Sequence, residues 1–124
     1  MKRAGLLAWI GVLLPPFAWA FQHFFGWTTG VADCPDHRVG AGLDVPVDPI
    51  TIALGSGAVV LILLGGVASL LAWMTTREAD DDDAPPAGRI HFLSVIGLTI
   101  FPLFLAITLM SSAGALVANG CTQA

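Results

Sequence analysis

Three stretches of this chain contain no Asp, Glu, Lys or Arg: Ala4 to Trp27, Pro49 to Thr76 and Ile90 to Ala124. Each is long enough to cross a bilayer as a helix, because about 20 apolar residues at a rise of about 1.5 Å cover a hydrocarbon core of about 30 Å. Inside that core a helix satisfies its backbone amides and carbonyls within its own segment, which selects helices for stretches of this length. The composition agrees: 56% hydrophobic and 11% charged residues, with a mean hydropathy of +0.81, lie outside the range of soluble globular domains. The expected fold is therefore all-α, a three-helix transmembrane bundle forming a single membrane domain over residues 1–124. The spans are expected at about 4–27, 49–75 and 90–117, joined by a loop over 28–48 and an acidic loop over 76–89.

The distribution of cations orients such a bundle. Lys2, Arg3, Arg77 and Arg89, four of the five basic residues, flank the first span or lie between the second and third. The positive-inside rule places both regions in the cytoplasm. The N-terminus is then cytoplasmic and the C-terminus periplasmic, in the inner (cytoplasmic) membrane of a bacterium. The net charge of -4 arises largely from the run "EADDDDAPP", a solvated loop segment rather than a signature of a basic partner, and nothing in the sequence points to nucleic acid. The run also lacks the ligand spacing and central Gly of an EF-hand.

With that topology Cys34 and Cys121, the two cysteines of the chain, fall on the same oxidising side, where disulfides persist. Two cysteines allow one connectivity, so the expectation is a Cys34–Cys121 disulfide tying the end of the third helix to the outer loop. Two unrelated thiols are the alternative. The start "MKRAGLLAWIGVLLPPFAWA" also carries features of a cleaved signal peptide, with Ala18-Trp19-Ala20 fitting the A-x-A pattern. The apolar run continues through "FQHFFGW", however, which favours a retained helix of full length.

Within the spans, Pro15-Pro16 removes two amide donors in mid-helix and should kink the first, and Pro102 should act likewise in the third. Trp27 and Trp73 sit where interfacial anchors are expected. Asp48 followed by Pro49 marks the start of the second helix, as cap and first helical residue. Small residues recur four apart at Ala53 with Gly57 and at Gly65 with Ser69, a spacing that permits close helix approach.

Groups that could carry chemistry are few. His23 and His91 are expected at opposite membrane faces, too far apart to ligate one haem within a single chain. Gln22-His23 is the most informative polar pair, because polar side chains at that depth face protein or water rather than lipid. The first expectation for the pair is a hydrogen bond to a neighbouring helix or an interfacial headgroup; the functional alternative, with Trp19 and Trp27, is a contact with a partner or with a cofactor held by a partner. Cys34 and His37, with Cys121, form the alternative expectation of a copper or zinc site at the periplasmic surface. No Ser-His-Asp arrangement, phosphate-binding loop or pair of intramembrane carboxylates is present in the sequence, so independent catalysis has no support and the chain is not expected to be an enzyme.

The combination of "LLAWIGVLLPPFAWAFQHFFGW", a cysteine soon after it, "GRIHFLSVIGLTIFPLFLAITLM" and a cysteine near the C-terminus resembles small bacterial three-helix membrane proteins, some of them encoded beside haem-copper (cytochrome c) oxidase genes. The likeness covers the first and third spans and both cysteines. It implies a non-catalytic accessory or assembly subunit of a respiratory electron-transfer complex, with other membrane subunits and lipid as partners. No cofactor is expected on this chain alone, and haem or copper is expected in a partner subunit. The alternative is a periplasm-facing metal-handling or thiol-redox assembly factor using Cys34, His37 and Cys121.

Overall fold

The computed structural model describes residues 2–32, 47–78 and 84–117. They form α1 (Lys2–Ala32), α2 (Val47–Thr76) and α3 (Ala87–Val117), of 31, 30 and 31 residues. At about 1.5 Å per residue each is roughly 45 Å long, so each exceeds the hydrocarbon thickness and is long and apolar enough to cross a membrane. The helices run up, down and up, and each packs against both others, with α1–α3 the thinnest of the three contacts. Cys34, His37 and Cys121 lie outside the described residues.

Hydrophobicity does not say which side of these helices faces inward, because they are apolar all round. Residue size does. The buried positions of α1 are Ala4, Ala8, Gly11, Pro15, Ala18 and Gln22, and those of α2 include Thr51, Gly55, Ala58, Ile62, Gly65, Ser69, Ala72 and Thr76. On α3 the same alternation of four and three gives Ile90, Ser94 and Gly97, continues through the half-buried rings of Phe101 and Phe104, and ends at Thr108. A repeat of 3.5 residues keeps one seam of each helix in register with its neighbours. Most seam residues are small, which suits helices in lipid, where association rests on close packing and interhelical hydrogen bonds. Leu6, Leu13, Leu63, Leu64, Val67, Leu103 and Leu109 point outward and are exposed, as lipid-facing side chains should be.

Two apolar clusters occupy the seam. One joins Ala4 and Ala8 of α1 to Ala72 of α2 and Ile90 of α3, and the other joins Ala18, Ala58 and Ile62, with Phe101, Phe104 and Leu105 packed on it. The first cluster lies at the end of the bundle that carries Lys2, Arg3, Arg77 and Arg89, so the four cations share one end. Between the clusters the helices come closest. A Cβ on Gly11 or on Gly97 would collide with the Ser69 hydroxyl, and one on Gly65 would meet the Pro15 ring at 2.9 Å. Helix α1 continues through Pro15 and Pro16. Pro15 itself is buried against Gly65, and its ring removes the amide that would otherwise bond the Gly11 carbonyl.

The two small-residue pairs expected on α2 separate. Gly65 and Ser69 lie in the seam, whereas Ala53 and Gly57 are exposed and nothing lies within 4 Å of a Cβ built at Gly57. Equal spacing does not imply equal facing, because the second pair is rotated off the seam. Helix α2 also begins at Val47, which puts Asp48 in its first turn rather than before it. The carboxylate there still favours the positive end of the helix dipole. Helix α3 opens where the Ile90 amide donates to the Pro86 carbonyl at 3.1 Å, taking Ala87 to Arg89 into the helix. Trp27 and Trp73 fall at opposite ends of the bundle.

Candidate functional site: a polar layer in the far third of the bundle

Most hydroxyls in these helices are satisfied locally. Thr28, Thr29, Ser56, Thr75, Thr76, Ser94, Thr99 and Ser112 donate to carbonyls three or four residues earlier at 2.7–3.1 Å, the usual way of burying a hydroxyl in an apolar helix. The exceptions mark places where helices meet. Ser69 Oγ and Thr108 Oγ1 are buried without a hydrogen-bond partner, as are Gln22 Oε1 and Trp19 Nε1.

Three of those four atoms belong to the end of the bundle away from the cations. Gln22, 6% exposed, donates from Nε2 to Ser112 Oγ at 3.1 Å, and Ser112 donates to the Thr108 carbonyl at 2.8 Å. That chain has a direction. The single Ser112 proton is committed to Thr108, so its oxygen can only accept, and the Gln22 amide must turn its NH₂ toward it. The Gln22 carbonyl is thereby left without a donor. Helix α2 closes the layer at Gly55, where a Cβ would lie 2.7 Å from Ser112 Oγ. Gln22 is thus held by α3 across the seam because α2 presents a residue with no side chain.

Beside this layer the Trp19 ring tilts against Phe104 at 5.9 Å and stacks on His23 at 5.5 Å with planes 19° apart. His23 is exposed, on the outward side of α1, and its ring nitrogens meet no hydrogen-bond partner among the described residues. It stands within an aromatic face in which Phe21 and Phe25 are 4.4 Å apart, Phe17 and Phe21 6.4 Å, and Phe24 meets Phe25 edge-on at 5.5 Å. Phe17, Phe21, Phe24, Phe25 and Trp27 are all exposed.

The expected partner-contact residues therefore divide. Gln22 and Trp19 turn inward and organise the bundle, and His23 and Trp27 turn outward. His91 lies at the other end of the molecule, its Nδ1 3.5 Å from Thr76 Oγ1, so the two histidines do not meet. Among the described residues no three His, Asp or Glu side chains come together in a way that could hold a metal ion. Chemically the far layer offers a free carbonyl, a free hydroxyl and a free indole N–H in an apolar surround. These groups can bind and orient; none is a nucleophile set beside a base. Neither Ser112 nor Thr108 stands out in the sequence from the other hydroxyl residues of the spans. The signal that could have found Thr108 is the 3.5-residue period counted onward from Ile90.

The fold defines a multi-pass integral membrane protein. Comparison with known protein families, with curated proteins and with solved structures finds no match for this chain.

Proposed function

We propose that this protein is a non-catalytic accessory or assembly subunit of a bacterial inner-membrane respiratory complex, of the haem-copper oxidase type, with its basic end and N-terminus cytoplasmic and its C-terminus periplasmic. The observation that carries the reading is His23. It stands six residues beyond the midpoint of α1 at Phe17, about 9 Å along the axis and within a hydrocarbon half-thickness of about 15 Å. An imidazole exposed there, with no hydrogen-bond partner among the described residues, calls for a polar partner beyond them. The aromatic rings around it offer large, rigid contact area to a neighbouring subunit. The gathering of Lys2, Arg3, Arg77 and Arg89 at one end supports the orientation. The resemblance described above supports a respiratory partner, which would hold the haem or copper.

The test is isolation of the tagged full chain in mild detergent, with mass spectrometry of the co-purifying chains and an absorption spectrum of the eluate. Haem bands and oxidase subunits are expected with the native chain. Both should fall several-fold in His23→Leu and in Phe21→Ala/Phe24→Ala, which leave the seam untouched. A colourless eluate holding this chain alone would refute the proposal.

A further inference from the structure

At the basic end, on the side where α1 and α3 make the thinnest contact, a cleft of about 290 Å³ opens between Lys2, Gly5 and Trp9 of α1 and Pro86, Arg89, Ile90 and Leu93. It lies near the lower end of the range of about 300–1,000 Å³ usual for small-ligand sites. Its lining has two parts. Lys2 and Arg89 bring two positive charges, and Trp9 and Leu93 form an apolar wall along the helices. Among the described residues no acid lines it, and neither cation has an ion-pair partner.

The Arg89 guanidinium carbon lies 5.8 Å from the centre of the Trp9 ring. That cation–π contact sets the charge beside the apolar wall, and a guanidinium carries a planar N–H fork suited to two oxygens of one phosphate. Arg89 also sits in the first turn of α3, where a second cation beside the positive helix end is unfavourable unless an anion answers it. The free amides of that turn add to the same potential. Gly5 lines the cleft on the α1 side, where a Cβ would make ordinary contact with Ile90 Cδ1 at 3.8 Å.

From this arrangement we infer that the α1–α3 cleft binds the headgroup phosphate of an anionic phospholipid, with Lys2 and Arg89 on the phosphodiester and the first part of an acyl chain along Trp9 and Leu93. Cations meeting an apolar wall at the end of a membrane span match a molecule with the same order of parts. A soluble anion would use the charges and leave the wall exposed. The inference rests on the membrane-spanning bundle and is independent of the respiratory partner.

Native mass spectrometry of the full chain in a non-ionic detergent tests it, with phosphatidylglycerol and phosphatidylcholine of identical acyl chains as probes. The expected result is one phosphatidylglycerol retained per chain, with a preference over phosphatidylcholine of about tenfold or more. Added salt should weaken it. The double variant Lys2→Gln/Arg89→Gln should abolish the preference, and Arg77→Gln, which removes a charge at the same end but outside the cleft, should keep it. Arg89→Lys keeps the charge but loses the fork and the ring contact, and should lower retention several-fold. If the double variant does not insert, Arg89→Lys and the salt series on the native chain decide. Equal retention of the two lipids would overturn the inference. So would unchanged retention in the variants, or displacement of the lipid by inorganic phosphate alone, which would reassign the cleft to a free oxyanion.

Discussion

The two halves of this bundle are held together by different means. In the half near the cations the helices touch through Ala4, Ala8, Gly11, Ala72 and Gly97, so that backbones approach closely and little side chain intervenes. Farther along, the core is filled by the larger side chains of Ile62, Phe101 and Phe104, with Gln22 reaching across to Ser112. The contrast teaches that in an apolar solvent two kinds of contact hold one bundle. Close approach gains dispersion contacts over a long seam, and a directed hydrogen bond adds to packing where larger side chains fill the core.

The comparison can be broken hardest at the narrow half. Gly11→Leu or Gly97→Leu inserts a side chain where even a Cβ collides with Ser69, and should destabilise the bundle by about 3 kcal/mol or more. Unfolding of the full chain in mixed micelles measures this, and a change below about 1 kcal/mol would show that the seam is not close-packed there. In the far half Ser112→Ala should cost about 1–2 kcal/mol, because it leaves both polar ends of a buried amide without partners. Gln22→Leu removes the bond and the orphan carbonyl together, and should cost about 0.6 kcal/mol or less. If Gln22→Leu proves the more damaging of the two, the amide is needed by a partner rather than by the fold. Ser69→Ala deletes a buried hydroxyl that makes no hydrogen bond and should change stability by less than about 0.5 kcal/mol. The smallest effect belongs to Gly57→Leu, on the open side of α2, with a change within about 0.5 kcal/mol in the isolated chain. A large loss there would reveal that a neighbour covers that face in the membrane.

How much of this was readable beforehand depends on the kind of information each feature uses. The number of helices follows from three charge-free stretches, because an intramembrane charge is costly at any position along them. The seam was readable only in part. Gly65 with Ser69 and Ala53 with Gly57 have the same spacing in one helix, and a single pair does not reveal its phase. The phase emerges when the alternation of four and three is followed across the whole length, from Thr51 through Gly55 and Ala58 to Thr76. The contact between Gln22 and Ser112 was not legible. The two are 90 residues apart, and Ser112 looks like any serine bonded to its own helix, which it also is. The opposite fates of neighbours Gln22 and His23 follow from about 100° of helix rotation, and no local property of the pair assigns the inward direction to one of them.

The size-based seam has a consequence for how such chains change over time. Outward positions such as Leu63, Val67 and Leu103 answer only to lipid, and one branched side chain there is about as good as another. Drift at these sites should therefore be free in shape while remaining apolar. Positions such as Gly11, Gly65 and Gly97 answer to volume, and there even a methyl group is a large change. A descendant could replace most of its surface and keep its fold, leaving the spacing of its smallest residues as the most durable trace of common origin.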